Sequence, residues 1–387
     1  MTENPLDTSP HLPLDGRVRP AQTLSARALA PKDLDARTIE SWAALEQRAA
    51  DCNPFLSPHF VRPALAYLTP ASDMRLVLVE TDGPEPRLVA LGVFECAPFS
   101  RHFPMAHLRS YRSPHSFLSG VLVDAAWGSV ALDALLAFLK EGERGNTAVH
   151  WSYLAGDSSL CKTLRASSAW YEEDTTRRAF LDPADCGEPF LSQHLSADRK
   201  KDLRRRERRL NEIAPLHWRL LRGDQVDERC IDTFLRLEDA GWRNARRSSL
   251  LTKPGHEAFF RAMVGGFAPE GRIFFTELVL GDKVIASTSN LLLGNAAFAF
   301  KLGWDATYAS MAPGILNEIA LVRQIPDQLP GLAYLDSGAA PGSFLESLYR
   351  GRREMVSGCY ALSGMSGYLL QGLAWARRIK RRTMRGP

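Results

Sequence analysis

Between Gly271 and Arg323 the apolar pattern changes period, and that change organises the chain. Arg272–Leu280 and Lys283–Leu293 are apolar runs split by a Gly281-Asp282 turn, and Gly294-Asn295 separates the second from Ala296–Leu302. Gly-Asp and Gly-Asn turns between such runs are hairpin signals. The shift to period 3.6 after Thr307–Pro313 predicts a helix from Gly314. A meander feeding a loop and a helix N-terminus offers an anion site, since first-turn amides and the helix dipole both favour negative charge.

The same reading extends to both ends of the chain. Helices are predicted over Asp33–Ala50, Pro58–Tyr67, Ser129–Lys140 and Asp157–Ser168. Strands are predicted over Met74–Glu80, Arg87–Phe94, Ser119–Val123, Ala148–Tyr153 and Trp170–Ala179. After a break from Asp182-Pro183 to Glu188-Pro189 come a helix near Leu195–Glu212, a strand near Leu216–Leu221, and helices at Asp227–Ala240 and His256–Gly265. Helix Gly314–Arg323, strand Leu332–Ser337, helix Phe344–Arg350 and strand Glu354–Ala361 complete the order. This divides the chain into a flexible leader (1–32), an N-terminal unit (33–188), a C-terminal unit (189–365) and a basic amphipathic tail (366–387). The two units are comparable in element content, with no detectable sequence repeat.

Composition narrows the class. At 387 residues the chain exceeds one ordinary core, and 45% hydrophobic with 24% charged residues describes a soluble globular protein. A net charge of +4 means that basicity acts through clusters. The six cysteines are widely spaced without a Cys-x-x-Cys pair, which argues against a zinc site or a dense disulfide framework and suits the cytoplasm. Arg199–Arg209 holds eight Lys/Arg against Asp202 and Glu207, with Leu203 and Leu210 seven apart for one packed face. The positive remainder could attract phosphate, acidic polysaccharide or nucleic acid, or be a solvated helix face. Met355–Ala376 carries no charge and precedes Arg377-Arg378-Ile379-Lys380-Arg381-Arg382. Its serines and glycines dilute it below a membrane span. An amphipathic helix with Tyr368, Leu369, Leu373 and Trp375 either rests on the inner membrane surface or docks back on its domain.

Four segments together resemble the acetyltransferase-like domain of the GNAT superfamily, in its cellulose- and exopolysaccharide-linked branch. They are Leu195-Ser196 through Arg204-Arg205-Arg206 and Arg209-Leu210, then Leu237-Glu238-Asp239-Ala240-Gly241-Trp242-Arg243. Phe300-Lys301-Leu302-Gly303-Trp304-Asp305 with Ala312-Pro313-Gly314 is the third, and Leu335-Asp336-Ser337-Gly338 with Tyr349 and Arg352-Arg353 the fourth. Fem-type aminoacyltransferases are more distantly similar. The resemblance implies an α/β (α+β) fold of two GNAT-like domains, each a central mostly antiparallel sheet flanked by helices. It also implies acyl-CoA (acetyl-CoA) as co-substrate, no metal, and a small-molecule or glycan amine as acceptor. Nucleic acid enters only as tRNA under a Fem-like alternative. A second alternative is a non-catalytic carbohydrate-assembly or membrane-surface module. One departure stands out. The family's (Gln/Arg)-x-x-Gly-x-(Gly/Ala) turn reads here as Ser310-Met311-Ala312-Pro313-Gly314, with one glycine and a proline that removes a donor.

Acyl transfer to an amine needs a base, a polarised carbonyl and a proton for the leaving thiolate. Glu238, at a helix C-terminus near Trp242, is the first candidate base; the plainer reading is a surface glutamate pairing with Arg243. Asp336 ends a strand, where it either lines a crevice or caps the following turn. Tyr308 could supply the proton or simply pack. Lys301 and Asp305, with Trp242, Arg204 and Arg205, are candidate substrate contacts. Ser310, Ala312, Gly314 and Ile315 are the candidate donor-binding positions.

Overall fold

The computed structural model describes residues 23–68, 73–99, 105–142, 147–240, 249–364, 366–370 and 372. The chain forms two compact units, residues 1–177 with 353–387 and residues 178–352. The second unit thus starts at Arg178, inside a strand, ahead of the Asp182-Pro183 break.

The first unit is built on β1 (Leu24–Leu29), β2 (Met74–Thr81), β3 (Leu88–Ala97), β4 (His107–Ser110), β5 (Val121–Val123), β6 (Ala148–Ala155) and the start of β7 (Trp170–Leu181). β1, β2, β3 and β4 run antiparallel in turn, and β4 pairs with β6 in parallel. The strand between β6 and β7 is Gly351–Ala361, the last of the chain and β13 in the numbering used here. Helices α1 (Ala36–Glu46), α2 (Pro58–Tyr67), α3 (Gly128–Gly142) and α4 (Ser159–Ala166) flank this sheet. Leu132, Leu135 and Leu139 of α3 pack with Val77, Val89, Phe94 and Trp151. The predicted leader is corrected in part. Leu24–Leu29 pairs residue for residue with Leu76–Thr81, and its alternating half-exposed pattern is that of an edge strand.

The second unit contains α5 (Gly187–His194), α6 (Ala197–Asn211), β8 (Leu216–Arg222), α7 (Glu228–Asp239), α8 (His256–Phe267), β9 (Ile273–Leu280), β10 (Lys283–Leu293), β11 (Ala296–Trp304), α9 (Pro313–Gln328) and β12 (Tyr334–Asp336). β8 to β11 form an antiparallel meander, β11 pairs with β12 in parallel, and β12 pairs with the end of β7. The meander read from the sequence is present with both glycine turns. Phe344–Arg350 is corrected to a single 3-10 turn, Phe344–Ser347. One sheet face packs on α9 through Leu278, Ala297, Leu316, Leu321 and Ile325. The other carries the Phe234, Phe260, Phe275 and Phe300 rings against α7 and α8. Among the described residues no helix is long and apolar enough to cross a membrane.

Candidate active site

The site begins with a register slip. On β10 and β11, Asn290 faces Ala299 and Ser289 faces Lys301, so Phe300 is an extra residue. A bulge of this kind reverses which face later residues occupy. Ala297 and Ala299 belong to the α9 core, whereas Phe300 stacks on Phe260 of α8 at 6.2 Å. Beyond the bulge, Leu302 and Trp304 meet Gly314 of α9, and Lys301 and Gly303 meet α7. The slip therefore turns Lys301 away from the apolar core and toward a carboxylate.

That carboxylate is Glu238. Cys230, Ile231, Phe234, Leu235 and Glu238 are buried along α7, at the spacing of one helical face, and Asp227 caps the helix by accepting from the Cys230 amide. Glu238 is fully buried, with Oε1 3.8 Å from Lys301 Nζ and Oε2 accepting from the Leu250 amide at 2.8 Å. Asp239, the next residue, accepts from the Ser249 hydroxyl at 2.5 Å. Trp242 and Arg243 lie outside the described residues. Gly303 explains how α7 comes so near. A Cβ there would lie 2.4 Å from the Glu238 amide nitrogen, a distance only glycine permits.

A residue not singled out from the sequence joins them. His256 opens α8 one turn before Phe260, which stacks on Phe300, the neighbour of Lys301. Partial burial lowers its pKa, and the charges of Lys253 and Lys301 add to the effect. The imidazole is therefore neutral, and able to accept a proton, at neutral pH.

β12 is shorter than its neighbour. It pairs with β11 only over Ala296–Phe298, so β11 continues to Trp304 without it, and strand ends of this kind tend to line ligand crevices in α/β folds. Asp336 closes the paired part. It is fully buried, bonded to Arg178 at 2.5 Å and accepting from the Gly338 amide, which makes it an ion-paired turn cap. Asp305 is similarly engaged. It caps the turn at Thr307 and contacts Lys283 at 2.7 Å; burial opposes its ionisation, but Lys283 and the Thr307 bonds outweigh that and lower its pKa. The Tyr308 ring lies 5.4 Å from the same lysine.

At the start of α9, Ala312 adopts a left-handed conformation (φ 49°), and Ile315 and Leu316 both donate to its carbonyl. Pro313 has no N–H, so the Gly314 amide is the donor left in the first turn. Gly314 is also needed for packing, since a Cβ would sit 3.2 Å from Trp304 and 3.3 Å from Leu302. The basic helix α6 lies alongside. Leu203 and Leu210 are buried as their spacing predicts, Arg206 donates to the Ser310 carbonyl at 2.8 Å, and Arg204 and Arg205 are exposed. Arg205 also pairs with Asp202 at 2.7 Å. Helix terminus and guanidinium row together favour an anion at this end.

Beneath the sheet lies a polar network absent from the sequence reading. Glu318 of α9 accepts from Thr288 at 2.6 Å and Tyr349 at 3.1 Å, and Asn317 donates to Thr276 and Thr288. Burial raises the pKa of Glu318 despite those bonds, and raises that of Tyr349 well above the ordinary value.

Residues 197–344 match the family model of the acetyltransferase (GNAT) domain. The match spans α6, the Glu238–Lys301 pair, His256 and the start of α9. No curated protein matches the chain. Among solved structures it resembles FemX (10% identity, TM-score 0.55, 89% of this chain and 99% of that one). It also resembles a tandem GNAT protein from the clavulanic acid biosynthesis pathway (15%, 0.45, 88% and 99%) and L-PGS from Bacillus licheniformis (12%, 0.49, 90% and 97%). At such identity the FemX likeness speaks to the fold alone.

Proposed function

We propose that the second unit transfers an acyl group from acyl-CoA, with acetyl-CoA the first donor to test, to an amine of the cell envelope or a polysaccharide precursor. The observation that carries the proposal is the Lys301–Glu238 pair just beyond the bulge in β11, within the matched GNAT domain. In the reaction the amine nitrogen attacks the thioester carbonyl carbon and the C–S bond breaks. The amine loses a proton, and the thiolate gains one. Lys301 supplies positive charge for the oxyanion, Glu238 holds Lys301 in place, and His256 takes the amine proton. The Gly314 amide and the α6 guanidinium groups receive the donor's phosphates. The assay is free-thiol release from acetyl-CoA and longer acyl-CoAs with a panel of amines. Lys301→Ala is expected to lower kcat by roughly 10²–10³, the usual effect of losing one such donor. No thiol release with any donor would reject the reading.

The exposed arginines of α6 favour a second reading, in which the donor is an aminoacyl-tRNA. Transfer from aminoacyl-tRNA, with none from acyl-CoA, would select it. Either way the expected location is the cytoplasm. The basic tail beyond 372 lies outside the described residues; before it, Leu370 is buried against Met105 and Cys359 while Tyr368 and Leu369 are exposed, a surface suited to the inner membrane face.

A further inference from the structure

The first unit holds a constellation that the acyl-transfer reading does not use. His150 on β6, Cys359 on β13 and Glu173 on β7 lie on three neighbouring strands, with Cys359 directly opposite His150 in the antiparallel register. One nitrogen, one sulfur and one carboxylate oxygen from these side chains all lie within 4.8 Å of one another. His150 Nε2 is 3.3 Å from Glu173 Oε2, and Cys359 Sγ is 3.5 Å from Glu173 Oε1.

We propose that these three side chains form a binding site for a zinc-class divalent cation. The spacing suits the ion. Zinc bonds of roughly 2.05 Å to nitrogen, 2.1 Å to oxygen and 2.3 Å to sulfur, at tetrahedral angles, separate nitrogen from oxygen by about 3.4 Å and oxygen from sulfur by about 3.6 Å. The nitrogen–oxygen and sulfur–oxygen contacts stand within about 0.1 Å of these values but use the two different carboxylate oxygens, so binding through one oxygen needs rotation of the Glu173 carboxylate. The donor set of imidazole, thiolate and carboxylate is zinc-like, and excludes the oxygen-only preference of calcium and magnesium.

The surroundings differ around the cluster as a metal site requires. Cys359 is fully buried over an apolar floor of Met105, Ala148, Ala361 and Leu370. The His150 and Glu173 side chains are 26% and 16% exposed, which leaves an entry path and a fourth position for water or a substrate atom. The His107 ring packs edge-on to His150 at 6.5 Å and hydrogen-bonds the Met105 carbonyl through Nδ1, which fixes the plane against which His150 turns. On binding, the Cys359 thiol gives its proton to solvent and the thiolate bonds the metal.

The test uses tag-free, full-length protein stripped with chelator, then titrated with Co²⁺ or Zn²⁺ alone. The expected result is one ion per chain, with a near-ultraviolet thiolate-to-cobalt band that Cys359→Ser abolishes and His150→Gln weakens at least tenfold in metal affinity. Both variants should keep the melting temperature of metal-free wild type. X-ray absorption at the zinc edge of wild type gives a reading independent of any variant's folding, with one sulfur and nitrogen or oxygen scatterers expected. Absence of uptake by the stripped protein, a cobalt band that survives Cys359→Ser, or a zinc spectrum without sulfur would each overturn the site.

Discussion

Gly303→Ala tests how the candidate active site is held together. The added methyl would lie 2.4 Å from the Glu238 amide nitrogen, 2.6 Å from the Leu237 carbonyl carbon and 2.8 Å from Glu238 Cα, all backbone atoms that no rotamer change can move. Ordinary contact for a Cβ begins at 3.4 Å, so the end of α7 must back away from β11 by about 1 Å. Overpacking of this kind costs about 1–3 kcal/mol. The same movement carries Glu238 off Lys301, whose contact at 3.8 Å is already long. Misplacement by about 1 Å at reacting groups costs roughly 100-fold in rate.

The measurements are urea denaturation followed by tryptophan fluorescence and thiol-release kinetics at temperatures where both proteins are folded. Gly265→Ala, in an exposed part of α8 with nothing within 4 Å of the added carbon, is the control. It should stabilise by about 0.5–1 kcal/mol and leave the rate alone. If Gly303→Ala leaves both denaturation midpoint and rate unchanged, the placement of α7 on the strand, and the role given to Gly303, are wrong.

Other predictions rest on separate features. Asp336→Asn strands the buried Arg178 charge and should cost about 3–5 kcal/mol in the denaturation midpoint; a loss under 1 kcal/mol refutes the pair's structural role. Because the folded pKa of Glu318 is raised, its contribution to stability is complete below the ordinary glutamate value of about 4.3 and is lost as pH rises toward the folded value. Wild type should therefore fall behind Glu318→Gln across that interval by up to about 1.4 kcal/mol per pH unit, and parallel stability curves would contradict this. With His256 as base and its pKa lowered, kcat/KM should rise with pH along a limb whose midpoint lies below the ordinary histidine value of about 6.5; His256→Gln should remove that limb, and a limb that survives excludes the assignment. Arg204→Glu combined with Arg205→Glu should raise the donor Kd severalfold at low salt, an effect that fades near 0.5 M salt as screening shortens to ~4 Å; equal loss at both salts would argue for misfolding instead.

Much of the second unit was legible because its signals are local. The Gly281-Asp282 and Gly294-Asn295 turns set the ends of β9, β10 and β11, and the apolar spacing after Pro313 gave α9. Local signals failed where the deciding partner is far along the chain. Leu24–Leu29 looks like leader because its reason for being a strand is β2, fifty residues on. Phe344–Arg350 has helical spacing, yet only one 3-10 turn forms before the Tyr349 hydroxyl is claimed by Glu318.

The candidate site was legible by residue type and not by geometry. Lys301, Glu238 and Gly303 were in view, but the slip at Phe300 that puts Lys301 on the α7 face depends on how β10 pairs, and one strand's pattern does not contain it. A signal for Glu238 did exist. Ile231, Phe234, Leu235 and Glu238 fall on one helical face, and a carboxylate that completes an apolar stripe must find a buried partner. The same rule applies to Asn317 and Glu318, polar residues within a helix that is apolar on nearly every side. Cysteine spacing carries no sign of the three-residue cluster proposed above. Cys-x-x-Cys pairs mark sites whose ligands share a turn, whereas a sheet can collect one ligand from each of three strands, and His150, Glu173 and Cys359 meet only because β13 returns between β6 and β7. A sheet that closes with its last strand hides its constellations from any local reading, so such chains are better searched for odd polar residues on apolar faces than for short motifs.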